Sequence, residues 1–229
     1  MRILVVDYGK GNIASVVKSL EFCGADVLIS QEAAAVEHVH GIVLPGVGAF
    51  ADAIAFMTAS GQAKALRKAM EQGVPFLGIC LGAQLLMDCG IEGVSGVDAQ
   101  FQPDGRWAAG IGLISGHCRR LANHDACGQY FKIPHVGWNQ LNFCAGAQAN
   151  QDPLLVGIDD GSNFYFTHAY RAELADTSCL LAETAHSEVF PSVIRSYNAW
   201  GVQFHPEKSS SKGLRILANF LRFCGDVRS

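Results

Sequence analysis

Apolar residues along the first third of the chain fall into two alternating periods. Ile3–Asp7 reads as a first buried strand, its residues apolar from Ile3 to Val6. From Ile13 to Cys23 the spacing lengthens to that of a helix, with Val16, Val17, Leu20 and Cys23 on one face and Gly24 closing it. Asp26–Ser30 predicts a second strand, followed by an Ala-rich segment and a third strand at Gly41–Leu44. A helical region over Phe50–Gln72, interrupted at Ser60-Gly61, leads to another apolar run at Val74, Phe76, Leu77 and Ile79. This βαβ rhythm predicts a parallel sheet covered by helices. Gly9 and Gly11 make the first turn, and without the six-residue glycine fingerprint they do not point to a dinucleotide site.

Beyond Asp88 the pattern changes. Short apolar stretches at Ile111–Ile114 and Tyr130–Ile133 alternate with glycines and polar turns, as antiparallel strands do. Phe164–Thr167, Leu180–Thr184, Ser192–Ser196 and Trp200–Phe204 add further strands, with Asn198 in a hairpin turn. Ser211–Cys224 closes the chain as an amphipathic helix through Leu214, Leu217, Ala218 and Leu221. The expected architecture is α/β, an open and mostly parallel sheet with an added antiparallel β region, in one domain over 1–229.

Composition narrows the function classes. The chain has 229 residues, 49% of them hydrophobic and 17% charged, enough for one sizeable core. A formal net charge of −4 with scattered lysines and arginines gives nucleic acid no basic footprint. Met1-Arg2 leads directly into the first strand, and no apolar run reaches the roughly 20 residues of a membrane span. A soluble, cytoplasmic protein without membrane or nucleic-acid partners is expected. The eight cysteines lack the short secreted setting of a disulfide framework. His117-Cys118 with His124 and Cys127 matches no standard zinc spacing, so no metal site is assigned.

Candidate chemistry centres on Cys80. Gly78 before it and Gly82 after it allow a sharp turn from strand to helix, the logic of a nucleophile elbow with sulfur in place of oxygen. The start of a helix also favours a thiolate. Taken alone, the cysteine is equally well a small core residue. A second cluster supplies what a nucleophile needs: the strand ending at Phe204 is followed by His205-Pro206-Glu207-Lys208. His205 can take the thiol proton, and Glu207 can hold the imidazole in one tautomer. Pro45-Gly46-Val47-Gly48 leaves the carboxyl end of the third strand, where glycines let backbone N–H groups face an oxyanion.

Gly78-Ile79-Cys80-Leu81-Gly82-Ala83-Gln84 together with Gln203-Phe204-His205-Pro206-Glu207 resembles the class I, triad-type glutamine amidotransferases. Asp7-Tyr8-Gly9-Lys10-Gly11-Asn12, Pro45–Gly48, Pro134-His135-Val136-Gly137-Trp138-Asn139 and Tyr165-Phe166-Thr167-His168-Ala169-Tyr170 make the chain similar to the glutaminase subunits of imidazole glycerol phosphate synthase. The resemblance implies a flavodoxin-like domain with no cofactor. It implies that Cys80 attacks the side-chain amide of L-glutamine, with His205 and Glu207 completing the triad. Gly46, Val47, Gly48 and Leu81 would form the oxyanion hole, the loop reorienting to complete it. Gln84, Thr167, His168, Ala169 and Tyr170 would hold the substrate, His168 as a wall rather than the base.

The same resemblance implies a cyclase partner subunit with a (β/α)8 barrel. Asn12, Trp138, Tyr165 and Lys208 lie in the motifs that meet it; Trp138 is otherwise a core tryptophan. Val136, Thr167 and Ala169 depart from the methionine, valine and serine or threonine usual there, so glutamine binding near Ala169 would rest on backbone contacts. Alternatives are a paralogous subunit feeding a sugar amidotransferase, a free-standing γ-glutamyl peptidase and a catalytically silent binding subunit.

Overall fold

The computed structural model describes residues 1–10, 12–94, 107–144 and 149–227. The chain begins β1 (Arg2–Val6), α1 (Ile13–Phe22), β2 (Asp26–Ser30), β3 (Gly41–Leu44), α2 (Phe50–Ala59), α3 (Gln62–Glu71), β4 (Phe76–Ile79) and α4 (Leu81–Gln84). It continues β5 (Met87–Gly90), β6 (Ala108–Ala109), β7 (Ile114–Arg120), β8 (His135–Phe143), β9 (Ser162–His168) and β10 (Tyr170–Leu174). The last elements are β11 (Leu180–Ala185), β12 (Val189–Ser196), β13 (Ala199–Val202) and α5 (Ser210–Asp226).

Nine strands form one sheet in the order β2-β1-β3-β4-β13-β12-β11-β8-β9. From β2 to β13 every neighbour is parallel, and from β13 to β9 every neighbour is antiparallel. The antiparallel strands thus continue the parallel sheet itself. A smaller sheet, β10-β7-β5-β6, lies beside it and mixes both orientations, since β5 runs parallel to β7.

The alternation inside β1 shows how the sheet organises the core. Ile3 and Val5 face the side covered by α1 and α5, whereas Leu4 and Val6 face α2 and α3. On the first side Val16 and Leu20 of α1 meet Ile216, Leu217 and Phe220 of α5. On the other, Phe50, Met57, Leu66 and Met70 cover Ile42, Leu44 and Phe76. β2 is the edge strand, with Leu28 and Ile29 exposed.

Three expectations are corrected. The helix after Cys80 is a single turn, because Leu85 and Leu86 are fully buried and the chain turns at once into β5. Ile111–Leu113 is not strand: Gly112 has φ +69°, and the amides of Ile111, Gly112 and Leu113 bond across to Leu85, Met87 and Leu86 carbonyls. Tyr130–Ile133 is a loop with an isolated bridge from Tyr130 to His124, and Tyr130 is largely exposed. Gly11 and part of the glycine-rich stretch after Asp88 lie outside the described residues.

Candidate active site

β4 lies in the parallel half of the sheet between β3 and β13, buried along its whole length, and it ends at Cys80. Cys80 has φ 54° and ψ −107°, a strained backbone for a residue with a Cβ, of a kind that costs on the order of 1–3 kcal/mol. Its surroundings hold it there. The Cys80 amide donates to Val202 O at 2.8 Å, pinning the elbow to β13. A Cβ at Gly82 would collide with Leu44 O, and one at Gly78 would lie 2.5 Å from Gly82 O, so both positions need glycine for close approach.

His205 follows β13 and is 2% exposed. Its amide donates to Tyr165 O at 2.9 Å, and its carbonyl accepts from Ser209 Oγ at 2.6 Å. The backbone under the imidazole is therefore fixed from β9 and from the start of α5. Nδ1 lies 2.8 Å from Glu207 Oε1, with both side chains almost wholly buried. Nε2 is buried without a hydrogen-bond partner among the described residues, as is Glu207 Oε2. Burial opposes charge on the ring, but the Cys80 sulfur and the Glu207 carboxylate outweigh it and raise the His205 pKa to about 10. The structure thus brings Cys80, His205 and Glu207 to one end of the parallel strands. With α4 only one turn long, the field at the sulfur comes from these neighbours rather than from a long helix dipole.

A cavity of about 210 Å³ opens over Cys80, suited to a ligand the size of one amino acid. Val47, Gly48, Leu81, Gln84, Thr167, His168, Ala169 and Tyr170, to which the resemblance gives oxyanion-hole or substrate roles, all line it. Gly46 lies beneath: a Cβ there would meet Leu81 Cβ at 2.7 Å and Tyr8 Oη at 2.8 Å, so the loop packs directly on the elbow. Burial pushes the Tyr8 phenol up, and the Val47 amide approaches its oxygen without a bond of normal geometry. As the first residue of α4, Leu81 leaves its N–H outside the helical ladder.

Gln84 is buried, and its side-chain nitrogen donates to Tyr170 O at 2.8 Å and Gln203 Oε1 at 3.0 Å. Only its carbonyl oxygen remains for a ligand. His168 Nδ1 bonds Tyr170 O at 2.8 Å, and burial lowers the His168 pKa to about 3. A neutral ring tied on both sides fits a wall, not a base.

Glu92 also lines the cavity and went unnoticed in the sequence. Burial raises its pKa to about 7, against the lowering effect of the Phe50 backbone N–H. It sits in a turn after β5 with no motif around it, and only the fold carries it to Cys80. Among the described residues no group of three or more histidine, cysteine or acidic side chains gathers as a metal site.

The four residues assigned to a partner surface are not all alike. Trp138 and Tyr165 pair across β8 and β9 with rings 6.0 Å apart, and Lys208 Nζ lies 5.9 Å from the Tyr165 ring. Trp138 is 55% exposed and Val136 57%, which settles Trp138 as a surface residue. Val136 pairs with Thr167, so this apolar strip begins at the cavity rim. Asn12 stands apart at the start of α1, where its Oδ1 accepts from Ser15 Oγ at 3.1 Å.

Comparison with known proteins accords with this geometry. Residues 4–223 match the model of the family described as glutamine amidotransferase class-I. The imidazole glycerol phosphate synthase subunit HisH of Chromobacterium violaceum is 38% identical over 99% of this chain and 100% of its own length. That of Halobacterium salinarum is 42% identical over 98% of this chain and 94% of its own. Among solved structures, one described as a glutamine amidotransferase superposes with a TM-score of 0.68 at 18% identity, covering 97% of this chain and 98% of that one. The PurLQS structure from Thermotoga maritima gives 0.68 at 19% identity, covering 97% and 98%. With a strained cysteine facing a buried His–Glu pair and near-full-length similarity to these relatives, the chain belongs to the class I glutamine amidotransferases and, within them, to the family of HisH subunits.

Proposed function

We propose that this chain is the glutaminase subunit of an imidazole glycerol phosphate synthase, hydrolysing L-glutamine to glutamate and ammonia for a cyclase partner in histidine biosynthesis. The observation that carries the reading is the buried His205–Glu207 pair at 2.8 Å, set against Cys80 at the floor of the cavity. The Cys80 sulfur adds to the side-chain amide carbon of glutamine. His205, charged at neutral pH, gives its proton to the amide nitrogen as the C–N bond breaks, leaving a γ-glutamyl thioester and ammonia. The neutral ring then takes a proton from water, which adds to the thioester carbon and releases glutamate and the sulfur. Glu207 stabilises the imidazolium through Nδ1.

The Leu81 N–H is one oxyanion donor, and the Pro45–Gly48 loop supplies the other once the Val47 amide turns from the Tyr8 hydroxyl toward the cavity. Glu92 is the carboxylate positioned for the α-ammonium of glutamine, whose α-carboxylate meets backbone at Thr167–Tyr170. Ammonia is protonated in water, so the cavity mouth has to be covered by the subunit that uses it. The strip of Val136, Trp138 and Tyr165 at the rim, with Lys208 beside it, is the surface we assign to a (β/α)8-barrel cyclase.

The test is glutaminase activity measured alone and with the cyclase subunit bound to its nucleotide ligand. Strong stimulation by the liganded cyclase is expected. Full activity without a partner, or none under either condition, overturns the proposal.

A further inference from the structure

Gln203, the residue after β13, is 3% exposed and ends 3.6 Å from the reacting sulfur through its side-chain nitrogen. The orientation of this amide follows from its neighbours. Tyr170 O is a backbone carbonyl and only accepts, so Gln84 has to turn its NH2 group toward it, at 2.8 Å. The same nitrogen reaches Gln203 Oε1 at 3.0 Å. Reversing Gln203 would set two donors against each other, so its carbonyl faces Gln84 and its N–H faces Cys80. The chain is anchored at both ends. His168 Nδ1 takes the second lone pair of Tyr170 O at 2.8 Å, and the Gln203 backbone N–H donates to Ser192 O at 3.0 Å. Besides His205, the sulfur has a weak polar contact to Thr167 O at 3.9 Å.

From this geometry we infer that Gln203 is a further catalytic residue, a fixed N–H donor to the Cys80 sulfur, held in that role by Gln84 and the Tyr170 carbonyl. The inference rests on the reading of Cys80 as nucleophile. An N–H directed at sulfur in a buried site stabilises negative charge there before attack and again when the thioester collapses. It gives little to the neutral thioester between those points. The residue therefore acts on rate, while Glu92 and the backbone of Thr167–Tyr170 act on glutamine binding.

Two variants separate this from a packing role. Gln203→Glu keeps an acceptor for Gln84 and loses the donor to sulfur; Gln203→Met keeps the volume and loses both. The primary readout is the rate of iodoacetamide alkylation at pH 7, followed by mass spectrometry on the Cys80 peptide. It requires neither glutamine turnover nor a partner, so it decides the inference even if the glutaminase reading fails. Both variants are expected to alkylate Cys80 at least about tenfold more slowly, the scale of a lost hydrogen bond to a charged group. In the complex, kcat falls while the KM for glutamine stays within about twofold. A folded Gln203→Glu protein that alkylates at the parental rate overturns the inference. Should neither variant fold, the parental protein decides: its Gln203 side-chain NH2 resonances, identified through contacts to the Gln84 side chain, shift on alkylation of Cys80, and unchanged resonances refute the bond.

Discussion

At the scale of single residues, Cys80, Glu92 and Gln203 illustrate three degrees of dependence on the fold. Cys80 lies between two glycines whose absent side chains let Gly82 reach Leu44 O and Gly78 reach Gly82 O, so local sequence already indicates a strained turn. Cys80→Ala is expected to abolish glutamine hydrolysis while leaving cyclase binding and synthesis from added ammonium salts intact; loss of the ammonium-driven reaction would contradict the division of labour. Glu92 has no local signature, and the fold alone sets its carboxyl in the cavity with a pKa of about 7. Glu92→Gln removes the carboxylate that we assign to the α-ammonium of glutamine. Steady-state kinetics should show KM for glutamine rising at least about tenfold, the scale of a hydrogen bond to a charged group, with a smaller change in kcat. An unchanged KM would remove Glu92 from substrate binding.

At the scale of elements, two buried polar clusters tie strands and loops together. Asp152 accepts from the Leu154 amide at 2.9 Å, Trp200 Nε1 at 3.0 Å and Arg195 Nη1 at 2.8 Å, and Arg195 lies 4.6 Å over the Trp200 ring. Asp152→Ala leaves the buried indole N–H without its acceptor and takes the carboxylate from Arg195, which is partly exposed and keeps its bond to Tyr197 O, so chemical denaturation should show a loss of about 1–3 kcal/mol. The second cluster joins β8, β9 and the loop before β12. Tyr170 O only accepts, so His168 Nδ1 donates to it, and His168 Nε2 accepts from His135 Nδ1 at 3.2 Å. His135 Nε2 in turn faces Asn139 Nδ2 at 3.2 Å, and His186 stacks on His135 at 4.2 Å. Each ring is held in one neutral tautomer, and burial lowers the pKa of His135 to about 4 and that of His168 to about 3. Both groups bind protons more readily unfolded. Their contribution is complete above about pH 6.5 and is lost as pH falls toward 4 and 3. Glu92, raised to about 7, works in the opposite sense between about 4.5 and 7, offsetting one of the two protons. His205, raised to about 10, holds its proton in both states below about 6.5 and is silent there. The net expectation is about 1.4 kcal/mol of stability lost per pH unit from 6.5 to 4.5. Thermal melts across that window test it; a flat melting temperature would contradict the neutral cluster.

At the scale of the whole molecule, the end of the parallel strands that carries Cys80 adjoins an uncovered apolar strip on the antiparallel half. Trp138→Ala should weaken cyclase binding by about 30-fold, as removal of an interface anchor does, with the melting temperature nearly unchanged because the indole is exposed. A large drop in melting temperature would assign the ring a folding role instead. The sequence by itself determined the parallel half of the sheet, its helices, the elbow at Cys80 and the His205–Glu207 unit. Buried strands and amphipathic helices carry periodic signals, and a nucleophile turn needs glycines at fixed offsets. Tertiary structure alone decided that the antiparallel strands extend the same sheet, that the elbow helix stops after one turn, and that Trp138 faces outward. It alone brought Glu92 and Gln203 around the sulfur. Those features depend on contacts between residues up to 123 positions apart, as Gln203 and Cys80 are, and a local pattern holds no record of which distant groups will share one cavity.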